Sequence, residues 1–352
     1  MSKQLGIAII GCGWAGIRHA KAFADQGEQL RWAVDTSLDR ANGIARLQAG
    51  AQATCDVNDA LKDPSVTAVD ICLPHNLHGE FAVAAAIAGK HILCEKPLAV
   101  SLAEADRMIQ SAEKAHVILM VAENEVFSPL YLRVRDLIQA NAIGKPVLVQ
   151  MVRGCYLEQS FRMQRPWFLD QRAAGGGIMM SGGVHDFEKL RMIVGEVASV
   201  FALRAPQRFA EMQGDDTSVA MFKFANGAIG IMTQSYLMKS ALTASGIEEH
   251  SLRIEGETGS IRAVGTNGGR ITIFRDTTSD GQLSGFPSES DIVVPEVDTF
   301  GLEIAHFIDC IKNGSEPITA GSRMRRSLEL VIAAYKSMKQ NREIQTIHEG
   351  SK

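Results

Sequence analysis

The sequence predicts a two-domain α/β protein: an N-terminal parallel sheet wound with helices, then an α+β domain on an open, mainly antiparallel sheet. Three observations carry this. Apolar runs of strand length alternate with helical segments from the N-terminus to residue 123, the pattern of a parallel sheet with right-handed crossovers. The first of these strands ends in a G-x-G-x-x-G turn. Beyond residue 145, strand-like runs follow one another across Gly or Asn-Gly turns, as antiparallel neighbours do. At 352 residues the chain is too long for one small core. The domains are expected at 1–122 and 123–340, with a C-terminal tail at 341–352.

In the first third, "LGIAII" reads as a buried strand and residues 15–26 as a helix. "LRWAV" is the second strand, with a helix across 38–48 after it, and "VTAVDICL" the next. "HILCEK" and "VILMVAE" close the series, with helical segments at 77–88 and 101–115 around them. The later strands are "PVLVQMVRG", "SVAMFKFANG", "AIGIMTQSY", "HSLRIEGETGSIRAV" and "RITIFRD".

Composition narrows the function. The chain is 46% hydrophobic and 22% charged, ordinary for a globular protein. A net charge of −4 provides no basic field for nucleic acid. Six scattered cysteines without a C-x-x-C pair fit reduced thiols and a cytoplasmic protein. No apolar run reaches the roughly 18 residues of a membrane helix, and the N-terminal run is short and ends in glycines rather than at a cleavage site. No H-E-x-x-H or similar spacing is present, so no metal is expected.

Gly11-Cys12-Gly13-Trp14-Ala15-Gly16 sits between the first strand and its helix. Its glycines fit a tight turn, close approach of a pyrophosphate and close helix-on-strand packing. The helix N-terminus then offers N–H groups and a positive dipole end to phosphate. Asp35 follows at about the ~20-residue distance where a carboxylate meets a ribose 2′-hydroxyl. The first domain therefore reads as a Rossmann dinucleotide site. Asp35 would repel a 2′-phosphate, which favours NAD over NADP, with Arg40 close by. Other candidate cofactor residues lie at carboxyl ends of strands, where ligands bind in such sheets: Leu73, Pro74, His75, Asn76 and His78; Glu95 and Lys96; and Asn124.

Residues 174–190, "AGGGIMMSGGVHDFEKL", pose a different problem. Three glycines precede Ser181, His185 and Glu188, whose i, i+4, i+7 spacing puts them on one helix face. The glycines are expected to let the chain bend and approach cofactor and substrate closely.

Together "GIAIIGCGWAGIRHAKAF", "VDICLPHNLHGEFA", "CEKPLA", "GGGIMMSGGVHDFEKLRMIVG" and the closing "FIDCIKNGSEPITAGSRMRRSLELVIAAYKSM" resemble the glucose–fructose oxidoreductase / inositol dehydrogenase / MocA family. The resemblance spans nearly the whole chain. It implies NAD-dependent oxidation, or the reverse reduction, of a secondary hydroxyl on a sugar, glycoside or cyclic polyol. His185 takes the role of base and Lys96 holds the same oxygen. It also implies a homodimer or homotetramer formed through the sheet of the second domain. Many relatives carry an aspartate four residues before the histidine and another acid three after it. Glu188 fills the second position, and Ser181 stands at the first with no charge. Asp186 is adjacent but about 100° around the helix. Ser181 is therefore expected to shape substrate binding.

A further segment, "RGCYLEQSFRMQRPWFLDQRAA", interleaves arginines with aromatics. Arg153, Tyr156, Arg162, Arg165 and Trp167 suit a sugar ring or an anionic glycoside, since arginine pairs bidentately with carboxylate-like groups; a salt-bridged surface loop fits them equally. Two other activities share the cofactor site: a glycosidase that oxidises transiently, eliminates, adds water and re-reduces, and a non-catalytic dinucleotide or sugar sensor.

Overall fold

The computed structural model describes residues 4–239, 249–275 and 288–346. The chain forms two compact units, Met1–Asn124 with Asp298–Leu328, and Glu125–Val297 with Glu329–Lys352.

The first unit holds a sheet of β1 (Gly6–Ile10), β2 (Gln29–Val34), β3 (Gln52–Thr54), β4 (Ala68–Ile71), β5 (His91–Glu95) and β6 (Leu119–Ala122). The strand order is β3-β2-β1-β4-β5-β6, and each pairing is parallel. Every residue of β1, β4 and β6 is buried, which explains their unbroken apolar runs. The order reverses between β1 and β4, the switch point at whose carboxyl ends such sheets bind ligands. Helices α1 (Trp14–Asp25), α2 (Leu38–Ala45), α4 (His78–Ile87) and α5 (Leu102–Ala115) appear where their patterns place them. Ser37 and Ser101 cap α2 and α5 by accepting from Arg40 and Glu104 N–H, as N-cap hydroxyls do. The sequence reading passed over β3 and α3 (Val57–Lys62), which are too short to show a period.

The expected boundaries need correction. Residues 298–328 belong with the first unit, not with 123–340. The helix Thr299–Asn313 packs on α1 with Phe307 edge-on to Phe23 at 6.4 Å and Phe300 against Trp14 at 5.9 Å. Lys312 also reaches Glu28 at 2.5 Å. Its apolar face therefore covers α1, and sequence distance gave no sign of that. The supposed tail begins as a strand: β15 (Ile344–Gln345) pairs with Ser199 and Val200.

The second unit contains β7 (Pro146–Gly154), β8 (Val197–Arg204), β9 (Thr217–Phe224), β10 (Ile229–Ser235), β11 (Glu249–Gly256), β12 (Gly259–Val264), β13 (Gly269–Arg275) and β14 (Ser288–Val294). The order is β14-β13-β12-β11-β7-β10-β9-β8-β15, antiparallel except for β7 beside β10. One face carries α6 (Pro129–Gln139), α9 (Ile178–Ser181) and α10 (Gly183–Ile193), with the short helices α7 (Glu158–Gln164) and α8 (Gln171–Ala174) between α6 and α9 in the chain. The strands alternate buried and open positions, and the open side bears exposed Leu203, Met221 and Ile229. No helix among the described residues is long and apolar enough to cross a membrane.

Candidate active site

In the first unit the candidate cofactor residues stand at or just past the carboxyl ends of β1, β2, β4, β5 and β6. Gly11 has φ +97°, and a Cβ there would lie 2.3 Å from Cys72 O. At Gly16 a Cβ would lie 2.0 Å from Gly11 O, whereas at Gly13 it would meet nothing within 4 Å. The three glycines thus divide into a left-handed turn, an open approach and a close packing contact. Gly13 begins α1 without a side-chain cap, and a helix N-terminus of this kind suits an anion. Ala15 is half-buried there, and exposed Trp14 lies under Arg18 at 4.2 Å.

Asp35 Oδ2 accepts from Cys12 N–H at 2.9 Å, and Oδ1 accepts from Ser37 N–H and from Arg40 Nη2 at 2.8 and 2.7 Å. Burial works against its charge, but Arg40 and the two N–H groups hold the carboxyl below its ordinary value. A carboxylate oxygen takes about two hydrogen bonds, so Oδ2 retains capacity for a ribose hydroxyl. These residues fit a dinucleotide with a free 2′-hydroxyl.

The loop after β4 divides. Leu73 and Pro74 are half-buried and Asn76 is exposed, but His75 and His78 turn inward. His78 Nδ1 lies 2.9 Å from Pro97 O and Nε2 lies 3.0 Å from Leu73 O. This corrects the expectation for His78: it straps two loops together. Asn124 donates to Thr299 Oγ1 at 2.9 Å, so its amide holds a helix start. Glu95 Oε2 accepts from Lys96 N–H at 3.0 Å, fixing the turn that presents Lys96.

One turn into α1, His19 is fully buried with Nδ1 2.9 Å from Asp70 and Nε2 3.6 and 3.8 Å from Glu95 and Glu303. Burial opposes its charge, but Asp70 with the two glutamates raises it to about 10. His19, Asp70 and Cys72 bring ligand-type atoms within 4.8 Å of one another. Hydrogen bonds account for that grouping, since the Cys72 thiol also donates to Asp70 Oδ1 at 3.5 Å.

In the second unit, α9 ends at Ser181 and α10 begins at Gly183. The glycines before them serve packing rather than approach to a ligand. A Cβ at Gly177 would sit 1.9 Å from Asp215 O, and one at Gly176 2.2 Å from Tyr335 Oη. Gly175, at φ +75°, ends the preceding short helix. Asp215 accepts from Gly177 and Met179 N–H, both at 3.1 Å, and from Tyr335 Oη at 2.6 Å. It thereby caps the segment that carries Ser181 and His185.

Residues His185, Asp186, Glu188 and Lys189 on α10 are all buried, so the charges of Asp186, Glu188 and Lys189 must be paired. Glu188 turns to Arg191 Nη1 at 2.6 Å, which corrects its expected substrate role. Asp186 instead takes Arg153 Nε and Nη2 at 3.0 and 2.8 Å, Gln234 Nε2 at 2.6 Å and Lys189 at 3.0 Å. Glu125 Oε2 receives Arg153 at 2.7 Å and Lys189 at 2.5 Å, while Oε1 lies 3.8 Å from His185 Nε2. Burial raises both carboxyls, but Arg153 and its fellow cations overcome this and hold both below their ordinary values. Ser181 Oγ is hydrogen-bonded to the buried Tyr236 hydroxyl.

The arginine–aromatic segment packs on itself. Arg153 belongs to the buried charge cluster rather than to a substrate, and Arg162 pairs with Glu158 and Glu211, each at 2.8 Å. Arg165 lies over Phe161 and Phe168, each at 5.4 Å, and Trp167 stacks on Phe168 at 4.0 Å. Tyr156 is exposed and donates to Glu158 at 3.4 Å. Arg162 thus has carboxylate partners at the surface and Arg153 has them in the buried cluster.

Comparison with known proteins decides the family. Residues 5–123 match "Oxidoreductase family, NAD-binding Rossmann fold" (GFO_IDH_MocA), and residues 131–262 match "GFO/IDH/MocA C-terminal domain". The chain belongs to the GFO/IDH/MocA family. It is 30% identical to scyllo-inositol 2-dehydrogenase (NAD(+)) of Bacillus subtilis (strain 168), over 98% of this chain and 97% of that protein. It is 28% identical to myo-inositol 2-dehydrogenase of Thermotoga maritima, over 96% and 97%. Its fold is similar to that of levoglucosan dehydrogenase solved with NADH and levoglucosan, with TM-score 0.85 and 22% identity over 98% and 100% of the two chains.

Within this GFO/IDH/MocA chain, sequence reasoning missed Glu125, Lys189, Asp215, Tyr236 and Tyr335. Lys189 had a signal: Asp186 and Lys189 are i, i+3 on a helix. The others meet α9 and α10 from distant segments, and no local spacing announces such contacts.

Proposed function

We propose that this chain oxidises a secondary hydroxyl of a sugar or cyclic polyol with NAD, or runs the reverse reduction. One observation carries the reading: a nearly buried imidazole, His185, stands 3.8 Å from a carboxylate in a chain whose other unit has the glycine cradle of an NAD-binding family. NAD, held at Gly11–Gly16 and Asp35, would supply the hydride acceptor.

The chain's own residues manage the proton. His185 takes the hydroxyl proton as the carbonyl forms, work for which imidazole's ordinary range is suited. Lys96, just after β5, is the candidate to offer positive charge to a substrate oxygen, and the Ser181–Tyr236 hydroxyl pair to orient a neighbouring hydroxyl. The names of the inositol dehydrogenase relatives support a polyol or sugar as substrate. Exposed Leu203, Met221 and Ile229 on the open sheet face support a homodimer or homotetramer, and the scattered reduced cysteines a cytoplasmic location.

Purified protein with NAD, screened against inositols, anhydro sugars, aldoses and chromogenic glycosides, tests this. The expected result is NADH formed with a cyclitol or sugar and no release of aglycone, at lower efficiency with NADP. Aglycone release without net NADH would replace this reading with the redox glycosidase.

A further inference from the structure

Ser181 leaves a gap in the electrostatics of the site. The position four residues before His185 bears no charge, and Glu188, three residues after it, is bound to Arg191. Asp186 points into the cluster of Arg153, Lys189 and Gln234. A base that becomes an imidazolium during oxidation gains from a nearby negative charge, while Glu188 and Asp186 are engaged with Arg191, Arg153 and Lys189.

Glu125 lies on the single turn Asn124–Phe127, between β6 and α6, and its carboxylate is almost fully buried. Oε2 is held by two cations from two elements, Arg153 of β7 and Lys189 of α10. That anchorage aims Oε1 at His185 Nε2, 3.8 Å away. The separation is too long for a hydrogen bond but short enough for a through-space effect between two buried side chains. The charged and titratable groups around this pair are Tyr131 from α6, whose ring centre lies 4.4 Å from Lys189 Nζ, Arg153 from β7, Asp186 and Lys189 from α10 and His250 from β11. Arg153 and Lys189 balance Asp186 and Glu125, and a proton arriving on His185 adds one positive charge beside them. Glu125 Oε1 lies 3.8 Å from that ring.

We propose that Glu125 is a positioning residue for the reaction: it supplies the negative charge that Ser181 lacks and sets the proton affinity of His185. The proposal rests on the reading of His185 as base. In the oxidation the substrate O–H proton passes to His185, the carbinol C–H leaves as hydride to NAD, and the carbonyl forms. The products are carbonyl, NADH and one protonated imidazole. Glu125 stays ionised throughout and stabilises that imidazolium.

Two readouts test it. The first is the His185 ring titration, followed by proton NMR in the resting protein and assigned by its loss in His185→Ala. The second is the acid limb of the pH–rate profile for oxidation. In Glu125→Gln the negative charge is gone, so the His185 pKa and the acid limb should both move down by about one pH unit. Glu125→Asp, which keeps the charge, should recover most of the shift. Lys189→Gln removes a neighbouring cation and should move both readouts upward, so it carries the test if Glu125→Gln does not fold. An unmoved His185 titration in Glu125→Gln, or in Lys189→Gln where only that variant folds, overturns the proposal. Normal turnover by His185→Ala would instead overturn the base assignment, and the NMR titration would still report whether Glu125 controls the imidazole.

Discussion

His185→Ala should turn over about 10²- to 10⁴-fold more slowly than wild type in the oxidation direction, the range that one positioned general base contributes. The loss should fall on kcat more than on KM, because the imidazole acts on the proton in flight rather than on the bound ground state. His185 lies on α10 just past the Gly182 break, and the segment before it is capped by Asp215. Alanine keeps the helix, so the fold should survive and the unfolding midpoint should stay near wild type. Parallel thermal melts and steady-state kinetics separate lost chemistry from lost structure.

The largest expected effect on stability is at Asp186. Asp186→Ala removes the bidentate partner of Arg153 and a partner of Lys189, leaving excess positive charge in a buried cluster. Breaking a buried pair by deleting one side costs about 3–5 kcal/mol, and denaturant melts at neutral pH should show a loss of that order. The pH dependence has a definite sign. The carboxyls of Asp186 and Glu125 are held below their unfolded values, so their contribution is present above the ordinary carboxylate range and is lost as pH falls through the folded values. Wild type should lose stability on acidification more steeply than Asp186→Ala. Equal slopes would mean that the cluster is not ionised as drawn.

The fold was legible because local rules and tertiary demand agree. The run at Gly6–Ile10 is apolar throughout because β1 is buried on both faces, and each fingerprint glycine answers a contact visible in the folded turn. The helix face predicted for Ser181, His185 and Glu188 was only half informative. Periodicity says which residues share a side, but all of α10 from Gly183 to Leu190 is buried. Partners from β7 and from the turn at Asn124–Phe127 then decide what each polar group does. Arg153 drew Asp186 inward and Arg191 took Glu188, pairings of long and short range that helix spacing does not rank. The triple glycine misled for a similar reason. Its need for small residues is real, but the crowding atoms are Asp215 O and Tyr335 Oη.

The central claim is hydride transfer from a carbinol carbon to NAD with the proton taken by His185. A single-turnover experiment with wild-type protein, NAD and a polyol deuterated at the reacting carbon tests it most directly. The account predicts one deuterium carried into NADH per site, a slower burst than with the protiated substrate, and a burst lost in His185→Ala. NADH without substrate-derived deuterium, or an undiminished burst in His185→Ala, would contradict it.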